Sequence, residues 1–410
     1  MADTVPSDDA KRRLSLTFLN FGHFLDHYVI LIFPTVVIGL EAVYGRSYGE
    51  LLILSTAAFT AFGIFALPCG WLADHWSRRN MMAIFFLGTG ISAAAVGLAP
   101  NFTMLAAALF AVGIFSAIYH PVGIPMVIDN AVNRGRTMSW NGVCGNIGVS
   151  IAAGCTGVIT SVIGWRYAFF IPAAVLIVTG IVYLVTVPDD GGHRKVAVNH
   201  AQDVKLDFRT TMAVVLLFML LAVSSGLVFN ALTITLPKIV DVRAGQGMPL
   251  AIVSSLATMV FLCGAVAQLS VGRLVDRVQP HYLLAAVALA QLVGILWVYS
   301  ATGWQVLPAL ALSIGAIYGQ VTVNDIVLAR YTPQAWRGRI YALRFFLIFA
   351  PAGLAVWGIG WLYDLGGFNL ILWITLIVAA VFAVNSVFIT ALVSGVEGHR
   401  ARRAAQAPAE

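Results

Sequence analysis

Long apolar runs recur along this sequence so regularly that they leave room for little else. Twelve of them, at 15–40, 50–73, 80–99, 102–128, 138–162, 167–187, 210–236, 250–272, 281–300, 304–328, 339–363 and 369–394, are read as spans, because an α-helix needs about 20 residues to cross a hydrocarbon core. A soluble domain could not cover so much apolar surface, since 60% of the 410 residues are hydrophobic and only 10% are charged. Backbone groups in lipid must be satisfied within the segment, so the expectation is an all-α integral membrane protein of twelve transmembrane helices. The first run reads as a retained span, because it is longer than a signal-peptide core and carries Asn20, His23, Asp26 and His27 inside it. The four cysteines, Cys69, Cys144, Cys155 and Cys263, fall within runs without close-pair spacing. They read as small packing residues, with neither a disulfide nor a metal assigned to them.

Lys and Arg set the orientation. With the N-terminus in the cytoplasm, 19 of the 24 basic residues fall on that side, the outer side receives only Arg46, Arg166, Lys238 and Arg243, and Arg344 lies within a span. That asymmetry puts both termini in the cytoplasm, and the expected location is the cell's inner (plasma) membrane. The net charge of +6 is dispersed among short loops beside anionic lipid, so it reads as a topology signal and excludes a nucleic-acid patch.

The chain also repeats itself. Gly70-Trp-Leu-Ala-Asp74 returns as Gly272-Arg-Leu-Val-Asp276, Arg134-Gly-Arg136 as Arg337-Gly-Arg339, and Pro34 as Pro237, at offsets of 202 or 203 residues. Two six-helix halves follow, 1–187 and 210–410, joined by a polar cytoplasmic linker at 188–209. Parallel halves with a site between them near the midplane are one architecture of secondary transporters. The ends, 1–13 and 397–410, read as disordered tails.

Gly70-Trp-Leu-Ala-Asp-His-Trp-Ser-Arg-Arg79 resembles the Gly-x-x-x-Asp loop, closing on Arg-Arg, that follows the second span of the major facilitator superfamily, and Gly272 to Arg277 resembles its weaker echo after the eighth. The resemblance implies a gating role for Gly70, Asp74, Arg78, Arg79, Gly272, Asp276 and Arg277, holding the two halves together when the inner side is closed. Physically, Gly70 permits close helix approach, and Asp74 can pair with a nearby Arg or a helix N-terminus. A narrower resemblance, to the fosmidomycin-resistance-like branch, rests on Tyr119-His-Pro-Val-Gly123, Arg134-Gly-Arg136 and Gly145-Asn-Ile-Gly148, and on Asn20-Phe-Gly-His-Phe-Leu-Asp26 in the first span. Cys144 stands where that branch usually has glycine.

Ionisable groups inside a span cost free energy and point to function. The resemblance implies that spans 1, 4, 7 and 10 line the central path. On the helical rise, His23 and His27 lie about 13–20 Å in from the inner end of span 1 and His120 about 12 Å in on span 4. Asn20, His23 and His27 share one face, with Asp26 at its edge. A proton relay needs a buried carboxyl able to take up and release a proton, and imidazoles that titrate near neutrality. Asp26, His23 and His27 supply both, so they are assigned to proton coupling. The competing reading is interhelical hydrogen bonding. Substrate binding is assigned to Asn20, His120, Asn146, Asn230, Asn324, Asp325 and Arg344. Asn230 occupies the repeat position of His27, and Arg344 either pairs structurally with Asp325 or offers its planar fork to an anionic substrate.

A metal site remains open beside the relay. His23 and His27 have the i, i+4 zinc-binding spacing, and His120 or Asp26 could complete a tetrahedron. No resident metal or cofactor is assigned. A metallohydrolase would want Glu where Phe24 stands, so the chain is not read as an enzyme, and without a Gly-x-x-x-x-Gly-Lys-Ser/Thr phosphate loop transport is not read as driven by an ATPase domain in this chain. Asn146, Ser150 and Gly154 form a small-residue face expected against span 8, with Gly264 as the return contact. Tyr44, Tyr48, Trp165, Tyr167, Trp304 and Trp361 read as interfacial anchors. The reading is a proton-coupled secondary transporter, a monomer in the bilayer, exporting a small anionic or amphiphilic, drug-like solute by alternating access. The alternatives are proton-symport uptake of an organic anion, or a divalent metal or metal-chelate transporter using His23, His27 and His120.

Overall fold

A computed structural model describes residues 8–188, 208–275, 277–332 and 346–405, together with Ile340, Leu343 and Arg344. Every regular element among the described residues is helical. In chain order these are α1 (Asp8–Ile30), α2 (Ile32–Tyr44), α3 (Tyr48–Leu52), α4 (Thr56–His75), α5 (Arg78–Leu98), α6 (Phe102–Ser116), α7 (Ile124–Asp129), α8 (Arg134–Ile163), α9 (Tyr167–Thr186), α10 (Phe208–Arg243), α11 (Leu250–Leu274), α12 (Pro280–Ser300), α13 (Val306–Tyr331) and α14 (Ala352–Ala405). Among the described residues, eleven helical segments are long and apolar enough to cross a membrane. The last of them, Phe346–Gly395, takes up two of the predicted runs. At Gly366 and Gly367 its backbone leaves the helix, with φ of 61° at Gly367, a value glycine tolerates freely. That break falls between the runs predicted at 339–363 and 369–394.

The side chains explain where helices start and break. The side chains of Ser47, Ser77, Asn101 and Asn133 cap α3, α5, α6 and α8 by accepting from the backbone N–H three residues on, and Ser47 closes a full capping box with Glu50. Pro34 has no N–H to offer the Ile30 carbonyl, and the first span breaks at Leu31 between α1 and α2. Pro121 acts similarly in the fourth span, where residues Tyr119–Gly123 form a π-helical turn between α6 and α7. The described part of each expected tail is helical: α1 begins at Asp8 and α14 runs to Ala405.

The chain forms two compact units, one of Met1–Ala197, Ile234–Leu262 and Phe349–Phe368, the other of Val198–Thr233, Cys263–Ile348 and Asn369–Glu410. In the first, α1 packs on α8, α5 on α9 and α4 on α6. Its α8–α11 contact is the one expected from small residues: Gly154 N–H donates to Thr258 Oγ1 at 2.9 Å, and Thr258 donates to the Ser150 carbonyl at 2.7 Å. Gly264 is not the return contact, since it lies against Ile314 and Tyr318 within the second unit. The core of that second unit joins Phe218 and Leu221 of α10, Leu284 of α12, Val327 and Tyr331 of α13 and Phe382 of α14. Large apolar side chains such as Trp71, Val185 and Leu354 are exposed, as lipid-facing residues are. Two of the expected anchors are buried within the protein. Tyr48 is fully buried against Tyr363 and Phe368, and Trp165 is buried with the Arg166 guanidinium 4.6 Å from its ring centroid.

Candidate functional site

The first span delivers His23, Asp26 and His27 to the interior of the first unit, where α8 meets them closely. A Cβ on Gly145 would lie 2.8 Å from His23 Cε1 and Nε2, and one on Gly148 would run into the Phe24 backbone. Only glycine at both positions lets the two helices approach this far, which explains the Gly145-Asn-Ile-Gly148 element physically. Asn141, one turn earlier on α8, is fully buried and holds the network together. Its carbonyl accepts from His23 Nδ1 at 2.8 Å, and its Nδ2 donates to Asn20 Oδ1 and to the Tyr119 hydroxyl, each at 3.0 Å. Tyr119 passes its own proton to the Leu19 carbonyl at 2.8 Å.

A carbonyl only accepts, so His23 Nδ1 carries a proton, and in the neutral ring Nε2 is a bare acceptor. His27 Nε2 lies 3.1 Å from that atom and must donate to it. The π-helical turn brings His120 edge-on to both rings, with centroids 5.4 Å from His23 and 5.5 Å from His27. Pi-turns recur at functional sites because they re-aim a side chain that a regular helix would direct elsewhere. His120 Nε2 lies 3.5 Å from Asp26 Oδ2, and Phe62 and Phe349 pack on the His120 ring. Asp26 has no exposed surface, and neither of its oxygens accepts a hydrogen bond among the described residues. Three imidazoles and a carboxyl group therefore converge, His23 and Asp26 buried and His27 and His120 partly exposed, an arrangement that favours a proton or a cation as counter-charge to an ionised Asp26.

The other predicted residues divide. Asn146 is half-buried on α8, and its carbonyl accepts from Ser150. The remaining substrate candidates belong to the second unit. Asn230 donates back to the Gly226 carbonyl at 2.9 Å, Asn324 is buried on α13 below the equally buried Gln320, and the Arg344 guanidinium is hydrogen-bonded to Asp325. Gly70 packs on Pro121 of the π-turn, and Arg78 bridges Asp74 and Asp129 at 2.9 Å each, tying α4 to α7. Arg79 donates to the Val187 carbonyl just past the end of α9 at 2.9 Å. In the echo, no atom of the described residues lies within 4 Å of where a Cβ on Gly272 would stand and Arg277 is exposed, while Asp276 lies outside the described residues.

Sequence reasoning missed a charged cluster at the end of the first unit where α2 gives way to α3. Lys238 of α10 is buried, pairs with Glu41 of α2, and sits 2.8 Å from Asp241. Ser47 donates to Asp364 there at 2.7 Å. The i, i+3 spacing of Lys238 and Asp241 was the available signal.

The sequence profile of the Major Facilitator Superfamily matches residues 16–355. Among curated proteins, the chain is 31% identical over 127 residues to the probable L-galactonate transporter of Escherichia coli K12, covering 30% of this chain and 28% of that one. It is 28% identical over 130 residues to the puromycin resistance protein pur8 of Streptomyces alboniger, covering 30% and 26%. The match thus spans little more than a quarter of either relative. Similar solved structures include a D-xylose–proton symporter, at TM-score 0.72 and 16% identity over 92% of this chain and 97% of that one. A bacterial homologue of the human lysosomal transporter Spinster matches at TM-score 0.70 and 13% identity over 94% and 98%.

Proposed function

We propose that this chain, which belongs to the Major Facilitator Superfamily, is a proton-coupled secondary transporter that exports a small anionic or amphiphilic, drug-like solute by alternating access. The observation that carries the coupling is Asp26: a fully buried carboxylate, without a hydrogen-bond donor among the described residues, 3.5 Å from a histidine. An ionised carboxylate in that setting is costly, so proton uptake and release there is tied to access from water. His120, His23 and His27 form the relay, and Asn141 fixes its direction by fixing the His23 tautomer.

The resistance proteins among the relatives support export of drug-like solutes. The galactonate relative supports the second reading, uptake of an organic anion by proton symport, for which Arg344 is the cationic subsite. Both readings keep the two repeated halves about a linker at 188–209, cytoplasmic termini, an inner-membrane location and a monomer. The aromatic-His-Pro and Gly-Asn-x-Gly elements support a fosmidomycin-resistance-like branch as the narrower assignment.

Asp26→Asn tests the coupling. In proteoliposomes the variant should lose pH-driven accumulation and retain solute counterflow, because the amide mimics the protonated carboxyl. Full pH-driven accumulation by Asp26→Asn would sink the assignment.

A further inference from the structure

Ligating atoms of His23, His27 and His120 all lie within 4.8 Å of one another. Nitrogens bound at 2.0–2.1 Å to a tetrahedral ion stand about 3.3 Å apart, and His23 Nε2 and His27 Nε2 are already 3.1 Å apart. Bringing the widest pair to that spacing requires movement of about 1.5 Å, within the reach of small side-chain rotations. The second atoms of the rings fit the same purpose. A backbone carbonyl holding the far N–H of an imidazole is the contact that orients a metal-bound histidine, and Asn141 holds His23 in this way. Asp26, buried and without a hydrogen-bond donor among the described residues, supplies the negative charge that a buried dication demands.

We infer that this cluster is a binding site for a divalent ion of the zinc class, held by His23, His27 and His120, with the Asp26 carboxylate as fourth ligand. Three imidazoles and one carboxylate select zinc, cobalt or nickel over magnesium and calcium, which prefer all-oxygen shells. The inference deepens the coupling reading and rests on it for one consequence: the ion takes the place of the coupling proton, so Zn²⁺ competes with transport. Binding is measured on the purified chain in detergent without solute or gradient. A failure to bind metal therefore overturns this inference and leaves the Asp26→Asn transport assay to judge the coupling.

The experiment is equilibrium dialysis against Zn²⁺ near neutral pH, with a parallel Co²⁺ titration followed by visible absorption. The expected result is one ion per chain and the intense absorption of four-coordinate Co²⁺. His27→Gln and His120→Gln should each weaken affinity about tenfold or more, since even outer-shell changes cost that much. His75→Gln should bind as the parent does, because that ring is exposed and hydrogen-bonded to the Trp71 carbonyl. No stoichiometric binding, a weak six-coordinate Co²⁺ spectrum in the unsubstituted chain, or an affinity unmoved in both His27→Gln and His120→Gln would each overturn the site.

Discussion

Replacing Lys238 with methionine keeps most of the side chain's length and removes its charge, which isolates what that charge does. The lysine side chain is 9% exposed and its two carboxylate partners 26% each, so the cluster is partly shielded from water. The Asp241 pairing is i, i+3 within α10 and survives any separation of α10 from α2; the Glu41 pairing does not. Hydrogen bonds to charged groups contribute about 1.5–3 kcal/mol, and partial exposure argues for the lower end, about 1.5 kcal/mol. Without the lysine, Glu41 and Asp241 also repel. Their oxygens both lie within 2.8 Å of Nζ, hence no more than twice that apart. At that range two like charges cost about 1–3 kcal/mol between the water and protein-surface limits. The loss totals about 3 kcal/mol, so the closed arrangement should lose about a hundredfold in population to an opened one.

Val240, fully buried between the two charged positions, offers a reporter for that opening. In a background with the four cysteines replaced by serine, Val240→Cys should react with a membrane-impermeant maleimide, applied to intact cells, about a hundredfold faster when Lys238→Met is added. Lys238→Arg keeps the charge and should leave the rate near the parent value. A rate within about threefold of the parent in Lys238→Met would refute the claim that the Lys238–Glu41 pair holds α10 against α2.

Two further substitutions test the binding surfaces. Gly145→Ala places a methyl 2.8 Å from the His23 ring, so overpacking should cost about 1–3 kcal/mol, visible as a lower midpoint in thermal unfolding of the detergent-solubilised protein and as impaired pH-driven transport; parental values in both would mean α8 has slack that the geometry denies. Arg344→Lys should weaken solute affinity about tenfold while leaving the chain folded, because an ammonium cannot reproduce a planar fork. If Arg344→Ala combined with Asp325→Ala restores near-normal affinity while each single variant is damaged, the pair is structural and the subsite lies elsewhere.

The spans were legible because the constraint that sets them is local: a run of apolar residues long enough for lipid, closed by a cap or broken by a proline, is written in consecutive positions. His23, Asp26 and His27 were legible for the same reason, since an ionisable residue in lipid is conspicuous wherever its partners are. What the sequence did not carry was which face of a neighbouring helix would meet them. Asn146 belongs to a recognisable element and was expected at the site, yet Asn141 holds it. Five residues along an α-helix turn the side chain by about 140°, so the two asparagines project from different faces, and only the approach of α1 decides between them. The glycines of that element do serve the site, but by their lack of a Cβ and not by any polar group. Lys238 escaped for a complementary reason. At the end of a span a lysine is unremarkable, and its function arises only when Glu41, 197 residues away, is brought against it. The charge a sequence shows is a cost to be explained; the contact that explains it belongs to the fold.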